Sequence, residues 1–84
     1  MTDAENLQRG IDYMEAHLLE ALDYAQIARQ ANLSVFHFQR IFSILCGCTV
    51  GEYIRNRRLS LATQEVVNGK QSLLELALKY GYDT

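Results

Sequence analysis

The amino-acid sequence predicts an all-α fold. The chain has 84 residues and no proline, and its turn signals recur at short intervals, a pattern typical of helices joined by short connections. Apolar residues recur at spacings of three and four, which gives each segment between turn signals one apolar stripe. The length allows one small domain with a modest core.

The first two predicted helices precede a tight turn. The first begins near Asp3, and its stripe consists of Leu7, Ile11, Met14 and Leu18. After a break at residues 19–22, Asp23 is a suitable N-cap for a short second helix. The apolar residues of that helix are Tyr24, Ile27, Ala28 and Ala31. Asn32 ends it, because asparagine tolerates the left-handed backbone of a tight turn.

Ser34 is the predicted N-cap of a third helix, which Gly47 ends. Its inward set is Phe38, Ile41, Phe42 and Leu45, and its other faces carry Val35, Phe36, Gln39, Arg40 and Ser43. Thr49 caps a long fourth helix that runs to about Asn68. The apolar set of that helix is Tyr53, Ile54, Leu59, Ala62 and Val66. Ser72 caps a last helix over residues 73–80, which closes at Gly81.

Charge is distributed unevenly along the chain. The formal net charge is -2, which alone argues against nucleic acid, since such binders usually carry a basic face. Residues 1–23 carry -5, residues 24–58 carry +4 and residues 59–84 carry -1. The middle of the chain is therefore a basic segment behind an acidic first helix.

Metal, redox and enzymatic functions find little support. Cys46 and Cys48 flank Gly47, a spacing too tight for an unstrained disulfide and two ligands short of a structural zinc site. His17 and His37 have no ligand cluster beside them, and the chain lacks paired carboxylates and a phosphate loop. We therefore expect no metal, no cofactor and no enzymatic activity. Without a signal peptide or an apolar run of about 18 residues, we expect a cytoplasmic protein that does not enter the membrane.

Residues 24–45 have the dimensions of a helix-turn-helix motif. The second helix of that motif lies in the major groove, where its N-terminal residues meet base edges. Gln39 and Arg40 suit adenine and guanine, respectively, and Phe36 and Val35 can touch a thymine methyl. Ser34, at the helix start, suits a phosphate oxygen. Residues 72–84 repeat the apolar short helix and turn, as the start of a second such motif.

Four ordered segments, residues 34–42, 47–49, 53–59 and 73–82, resemble the DNA-binding domain of AraC/XylS-type transcription regulators, most closely the MarA, SoxS and Rob subgroup. The resemblance covers essentially the whole chain. It implies two helix-turn-helix units joined by a long helix, which bind adjacent major grooves of promoter DNA and recruit RNA polymerase. The units would be residues 1–48, the linker helix 49–68, and an incomplete second unit at 72–84.

The resemblance also assigns roles by position. Phe36, Gln39 and Arg40 match base-contacting positions, whereas Ser34, Val35 and His37 lie at or beside backbone-contact positions. Two residues depart from the subgroup, because Phe36 replaces an indole and Val35 replaces a common lysine. The second reading helix is also missing, so we expect a fragment cut at Thr84 of a parent that carries a ligand-sensing domain after it.

Two expectations remain open at this stage. Arg55 is the preferred phosphate contact among Arg55, Arg57 and Arg58, although the three could form a solvated face or one could pair with Glu52. The leading function is a sequence-specific transcription regulator, and the alternative is a helical protein-interaction module that has lost DNA binding. We also expect self-association through the exposed apolar helix at residues 73–82.

Overall fold

The computed structural model describes residues 2–69 and 72–81 and consists, over these residues, of helices joined by short turns. They are α1 (Asp3–Ala16), α2 (Tyr24–Gln30), α3 (Val35–Cys46), α4 (Val50–Val67) and α5 (Leu73–Lys79). The predicted all-α class is confirmed. In this part of the chain no helix combines the length and apolar character that crossing a bilayer requires.

The helices begin where the sequence predicts. Asp23, Ser34, Thr49 and Ser72 each accept a backbone N–H of the helix that follows, and Thr2 does so for α1. Thr49 also forms a capping box, because its own N–H donates to Glu52 Oε1 at 2.8 Å. Such caps satisfy donors that have no partner within the helix. The side chain of Glu52 is thus engaged at the helix start.

The turn between α2 and α3 fixes the geometry of the motif. Asn32 adopts a left-handed backbone with φ of 59°, as predicted. The next residue, Leu33, donates its N–H to the carbonyl of Ala28 at 3.0 Å, which closes the end of α2. Gly47 ends α3 in the same left-handed region, with φ of 75°. Both helix ends therefore rest on local hydrogen bonds and turn residues.

The main core lies among α1, α2, α3 and the first turns of α4. It buries Leu7, Met14, Leu18, Ile27, Ala28, Ala31, Phe38, Phe42, Val50 and Ile54. Gly10 allows α1 to approach α3 closely, because a Cβ built there would lie 2.4 Å from Phe38 Cε1. The close packing of these helices orients the rest of α3.

Four residues of the predicted apolar sets are exposed, and the first is Tyr24 at the start of α2. Leu45 is 61% exposed because the last turn of α3, residues 43–46, extends past the core. Leu59 and Val66 of α4 are also exposed. The leucine of this helix that packs against the core is Leu61, two residues after Leu59. About half of the residues of α4 are exposed, and Leu59 and Val66 lie among them and not on the covered side of the helix.

The helix α5 packs against α4 apart from the main core. Leu76 and Tyr80 are buried, and Tyr80 Oη donates to Glu65 Oε1 at 2.6 Å. The expectation that the whole apolar side of this helix is exposed is therefore wrong, and the exposed leucines are Leu74 and Leu78. The predicted cap at Thr84, like the side chain of Leu73, lies outside the described residues.

Candidate nucleic-acid interface

Helix α3 has two opposite faces. Phe38 and Phe42 are buried on one side, whereas Phe36 is 73% exposed on the other. A shallow groove runs along the exposed side and is lined by Phe36, Gln39, Arg40, Ser43 and Ile44. We call these five residues the outer face of α3. Their spacings of three and four place them side by side on the helix surface.

The three predicted base-contacting residues all belong to this outer face. Phe36 projects from the first turn and does not fill the core. Arg40 is exposed one turn later. Gln39 is half-buried, and besides the outer face it lines a second groove together with Tyr24. The structure thus brings Phe36, Gln39 and Arg40 together on one accessible surface. Whether they contact bases stays a prediction.

The predicted backbone-contact residues at the start of α3 have different surroundings. Ser34 Oγ accepts the N–H of His37 at 3.1 Å, and His37 Nε2 lies 3.8 Å from Asp3 Oδ2 of α1. Val35 is partly buried against the core, although the sequence placed it on another face. Its apolar side chain loses contact with water there, which favours burial over exposure. Ser34 and His37 remain accessible beside the outer face.

Arg57 forms a cluster that the sequence did not predict. Its Nε and Nη2 donate to the two carboxylate oxygens of Glu15 at 2.9 Å each, and Tyr53 Oη donates to the same carboxylate at 2.6 Å. The hydrogen bonds from Arg57 lower the pKa of Glu15. Burial, followed by the bond to Glu15, raises the pKa of Tyr53 to about 12. This cluster joins α4 to α1.

Arg58 joins α4 to the segment that follows α1. Its Nε donates to the carbonyl of Leu18 and its Nη2 to that of Glu20, each at 2.8 Å. These carbonyls lie just after α1, where no helical partner is available to them. The interpretation of Arg57 and Arg58 as members of a solvated face is therefore wrong, since Arg57 holds α4 against α1 and Arg58 holds α4 against the segment that follows α1.

Arg55 lies in a cleft that α4 forms with the segment between α1 and α2, the start of α2 and the end of α5. The cleft is also lined by Tyr24, Gly51, Arg58 and Tyr80. Arg55 is exposed there, and the structure gives it an interaction of its own. Its predicted role as a phosphate contact is not tested by this geometry.

Several arginines of the basic segment are engaged within the described part of the fold, although of Arg29, Arg57 and Arg58 only Arg57 has its charge paired with a carboxylate. Arg57 is paired with Glu15, Arg58 is bound to carbonyls, and Arg29 donates to Gln26 Oε1 at 2.9 Å. Arg40 is the cationic side chain of the outer face of α3. Any recognition of an anionic partner by that face therefore centres on Arg40.

The side chains near α3 are suited to recognising a binding partner. Cys46 and Cys48 carry free thiols at the two sides of the turn that follows the helix. The described residues hold no group of three or more His, Cys, Asp or Glu that could bind a metal ion. Bidentate hydrogen-bonding groups beside an exposed aromatic ring form a recognition surface.

One residue of the outer face was missed in the sequence. Ile44 is 70% exposed beside Arg40. Its position four residues after Arg40 and eight after Phe36 was the available signal. It was overlooked because aliphatic residues in an amphipathic helix are first assigned to the core.

Comparisons with known proteins give consistent matches. A model of a helix-turn-helix domain family matches residues 27–84. A probable transcription factor, PqrA of Proteus vulgaris, is 38% identical over 84 residues, covering 96% of this chain and 69% of the relative. The multiple antibiotic resistance protein MarA of Escherichia coli is 29% identical over 83 residues, covering 99% of this chain and 65% of the relative.

A third relative is the transcriptional activator AarP of Providencia stuartii. It is 33% identical over 72 residues, which cover 86% of this chain and 53% of AarP. Across these three relatives the chain spans between about half and just over two thirds of the curated protein's length. The similarity therefore extends along nearly all of this chain but not along all of the relatives.

Proposed function

Because the chain belongs to the AraC/XylS-type helix-turn-helix family of transcription regulators, we propose that the full-length protein binds specific DNA sequences and regulates transcription through α3. The observation that carries this proposal is the division of α3 into a buried side and a polar, aromatic outer face. A helix held by its buried side can enter the major groove with its other side.

In the proposed complex the residues of α3 divide their roles. Gln39 bonds an adenine edge, Arg40 bonds a guanine edge, and Phe36 covers a thymine methyl. Ser34 and His37 lie at the start of the helix, where they meet phosphate oxygens and fix the register. These contacts combine sequence readout with positioning.

Two further residues, Val35 and Arg55, are proposed to contact the DNA backbone, and each rests on its own observation. Val35 contributes through its backbone at the start of α3, because its side chain is partly buried. Arg55 reaches a phosphate from the cleft beside Tyr24. Truncation of Arg55 then weakens binding to all sequences and lowers the salt slope by about one.

A binding titration tests the proposal. DNA is first selected from a random pool by the full-length protein, and affinity is then measured against salt concentration for the protein and its Arg40→Ala variant. We expect affinity to fall as salt rises, and Arg40→Ala to cost about 5- to 150-fold. The control is Arg9→Ala, which removes the same charge from α1. Affinity that responds neither to salt nor to Arg40→Ala contradicts the proposal.

The second candidate function is a helical protein-interaction module that no longer binds DNA. Asp3, Glu5 and Asp12 are exposed on α1, and Arg57 and Arg58 are engaged within the fold. The exposed carboxylates and the ion pair of Arg57 with Glu15 favour a weaker electrostatic attraction to DNA than the +4 charge of residues 24–58 suggests, although Arg58 keeps its charge. Specific DNA binding that persists at physiological salt rules this candidate out.

The remaining expectations follow from family membership and form part of the proposal. The protein acts in the cytoplasm without enzymatic activity, and it contacts RNA polymerase once bound at a promoter. Residues 1–48 form the first DNA-binding unit, 49–68 the linker helix and 72–84 part of a second unit. Leu74 and Leu78 favour self-association of the chain, which light scattering measures.

A further inference from the structure

Ile44 occupies the end of the outer face of α3 that lies farthest from the turn. It is 70% exposed, nearly as much as Phe36, and lines the same groove as Arg40. The neighbouring Leu45 is also exposed, but it follows the side of the helix that buries Phe38 and Phe42. A large aliphatic side chain thus stands among the residues assigned to base contacts.

The outer face is long enough to read more than the bases under Phe36 and Arg40. Ile44 lies eight positions after Phe36 along the helix, which corresponds to about 12 Å of rise. With about 3.4 Å between stacked bases, this length spans three to four base pairs. Ser43 lies between the projecting side chains, and its small size allows the helix to approach the groove closely.

We propose that Ile44 is a specificity-determining residue that packs against the C5-methyl group of a thymine, three to four base pairs from the base under Phe36. This inference rests on the proposed function. Thymine is the base that presents an apolar group in the major groove, and an aliphatic side chain has no hydrogen-bonding group for any other base edge. Contact with a thymine methyl therefore removes apolar surface of both partners from water.

This role of Ile44 is tested by changing its side chain in the protein and the thymine methyl groups in the DNA. The full-length protein is used to select its DNA site, and each thymine in that site is replaced in turn by deoxyuridine, which lacks only the methyl group. Binding is measured for the protein, for Ile44→Ala and for the control Leu45→Ala, which truncates an exposed residue of the same turn. Circular dichroism shows whether each variant keeps its helices.

We expect two deoxyuridine positions to weaken binding of the unmodified protein, the thymine under Phe36 and a second thymine three to four base pairs from it; loss of the second methyl should cost about fourfold, the value of one buried methyl-sized group, and it is this second position that concerns Ile44. Ile44→Ala should weaken binding at least as much and abolish sensitivity to that position, while Leu45→Ala keeps it. Unchanged affinity of Ile44→Ala overturns the role of Ile44. A loss of affinity that does not depend on any thymine methyl also overturns it, and this is the result expected if Ile44 instead contacts a protein partner.

The experiment separates this inference from the proposed function. If Arg40→Ala weakens specific binding and Ile44→Ala does not, the regulator binds DNA without the aliphatic contact and only the inference fails. If no specific sequence is selected at all, the proposed function fails and the inference falls with it.

Discussion

Single residues decide how closely the helices of this fold approach one another. Gly10 and Gly51 both lie within helices, where glycine costs about 1 kcal/mol relative to alanine. Their surroundings differ, because a Cβ at Gly10 would meet the buried ring of Phe38, whereas a Cβ at Gly51 would meet Tyr24 Oη at 2.9 Å. The second obstacle is the end of an exposed side chain, which can move.

Gly10→Ala should therefore destabilise the protein although alanine favours helices. The expected loss is about 1–3 kcal/mol, the usual cost of overfilling a packed core. Urea unfolding measures the change, and Gly51→Ala is the matched control with an expected effect near zero or a small gain. Equal effects of the two substitutions would show that the contact between Gly10 and Phe38 does not limit the approach of α1 to α3.

At the scale of helices, local and distant interactions differ in how well the sequence predicts them. The N-caps at Ser34 and Thr49 and the left-handed turn at Asn32 were predictable, because each depends on residues within a few positions along the chain. The pairing of Arg57 with Glu15 joins residues 42 positions apart. Neither residue carries a local signal for that contact, which exists only once the helices have packed.

On α3 as well, the exposure of a residue was predicted correctly where local information was sufficient and wrongly where it depended on distant parts of the fold. Helical periodicity correctly separated Phe36 from Phe38, but it also placed Leu45 inward. Periodicity gives the direction of a side chain and not the length of the neighbouring helices, so it cannot show where the core ends. The predicted base-contacting trio shares one surface because direction alone was sufficient for those three residues.

Stability should depend on pH through the contact between α1 and α4. The pKa of Glu15 is lowered in the folded chain by Arg57, so ionised Glu15 stabilises the fold above the ordinary pKa of glutamate, about 4.3. This contribution is lost as the pH falls through the lowered pKa, where the folded carboxylate also becomes protonated.

The substitution Glu15→Gln tests this contribution. We expect a loss of about 1 kcal/mol at pH 7, a modest value because both partners are partly exposed. Urea unfolding at pH 7 and at a series of acidic pH values should show that the difference between the two proteins shrinks below the pKa of Glu15. A difference that stays constant across this range would mean that the charge of Glu15 does not stabilise the fold.

At the scale of the whole molecule, the fold shows that the arginines of the basic segment serve two different purposes. The described chain is elongated, 43 by 19 by 19 Å, with α4 leading from the main core to α5. Part of the basic segment holds this arrangement together through Arg57 and Arg58, while Arg40 stands on the outer face of α3. A modest net charge is therefore compatible with a local surface that recognises DNA.

Base readout by the outer face of α3 is tested most directly by comparing the protein and Arg40→Ala on the selected DNA site, with each base pair replaced in turn. We expect the unmodified protein to discriminate strongly at one guanine and Arg40→Ala to lose discrimination at that position alone. A uniform loss of affinity, with discrimination kept at every position, would contradict base readout by α3.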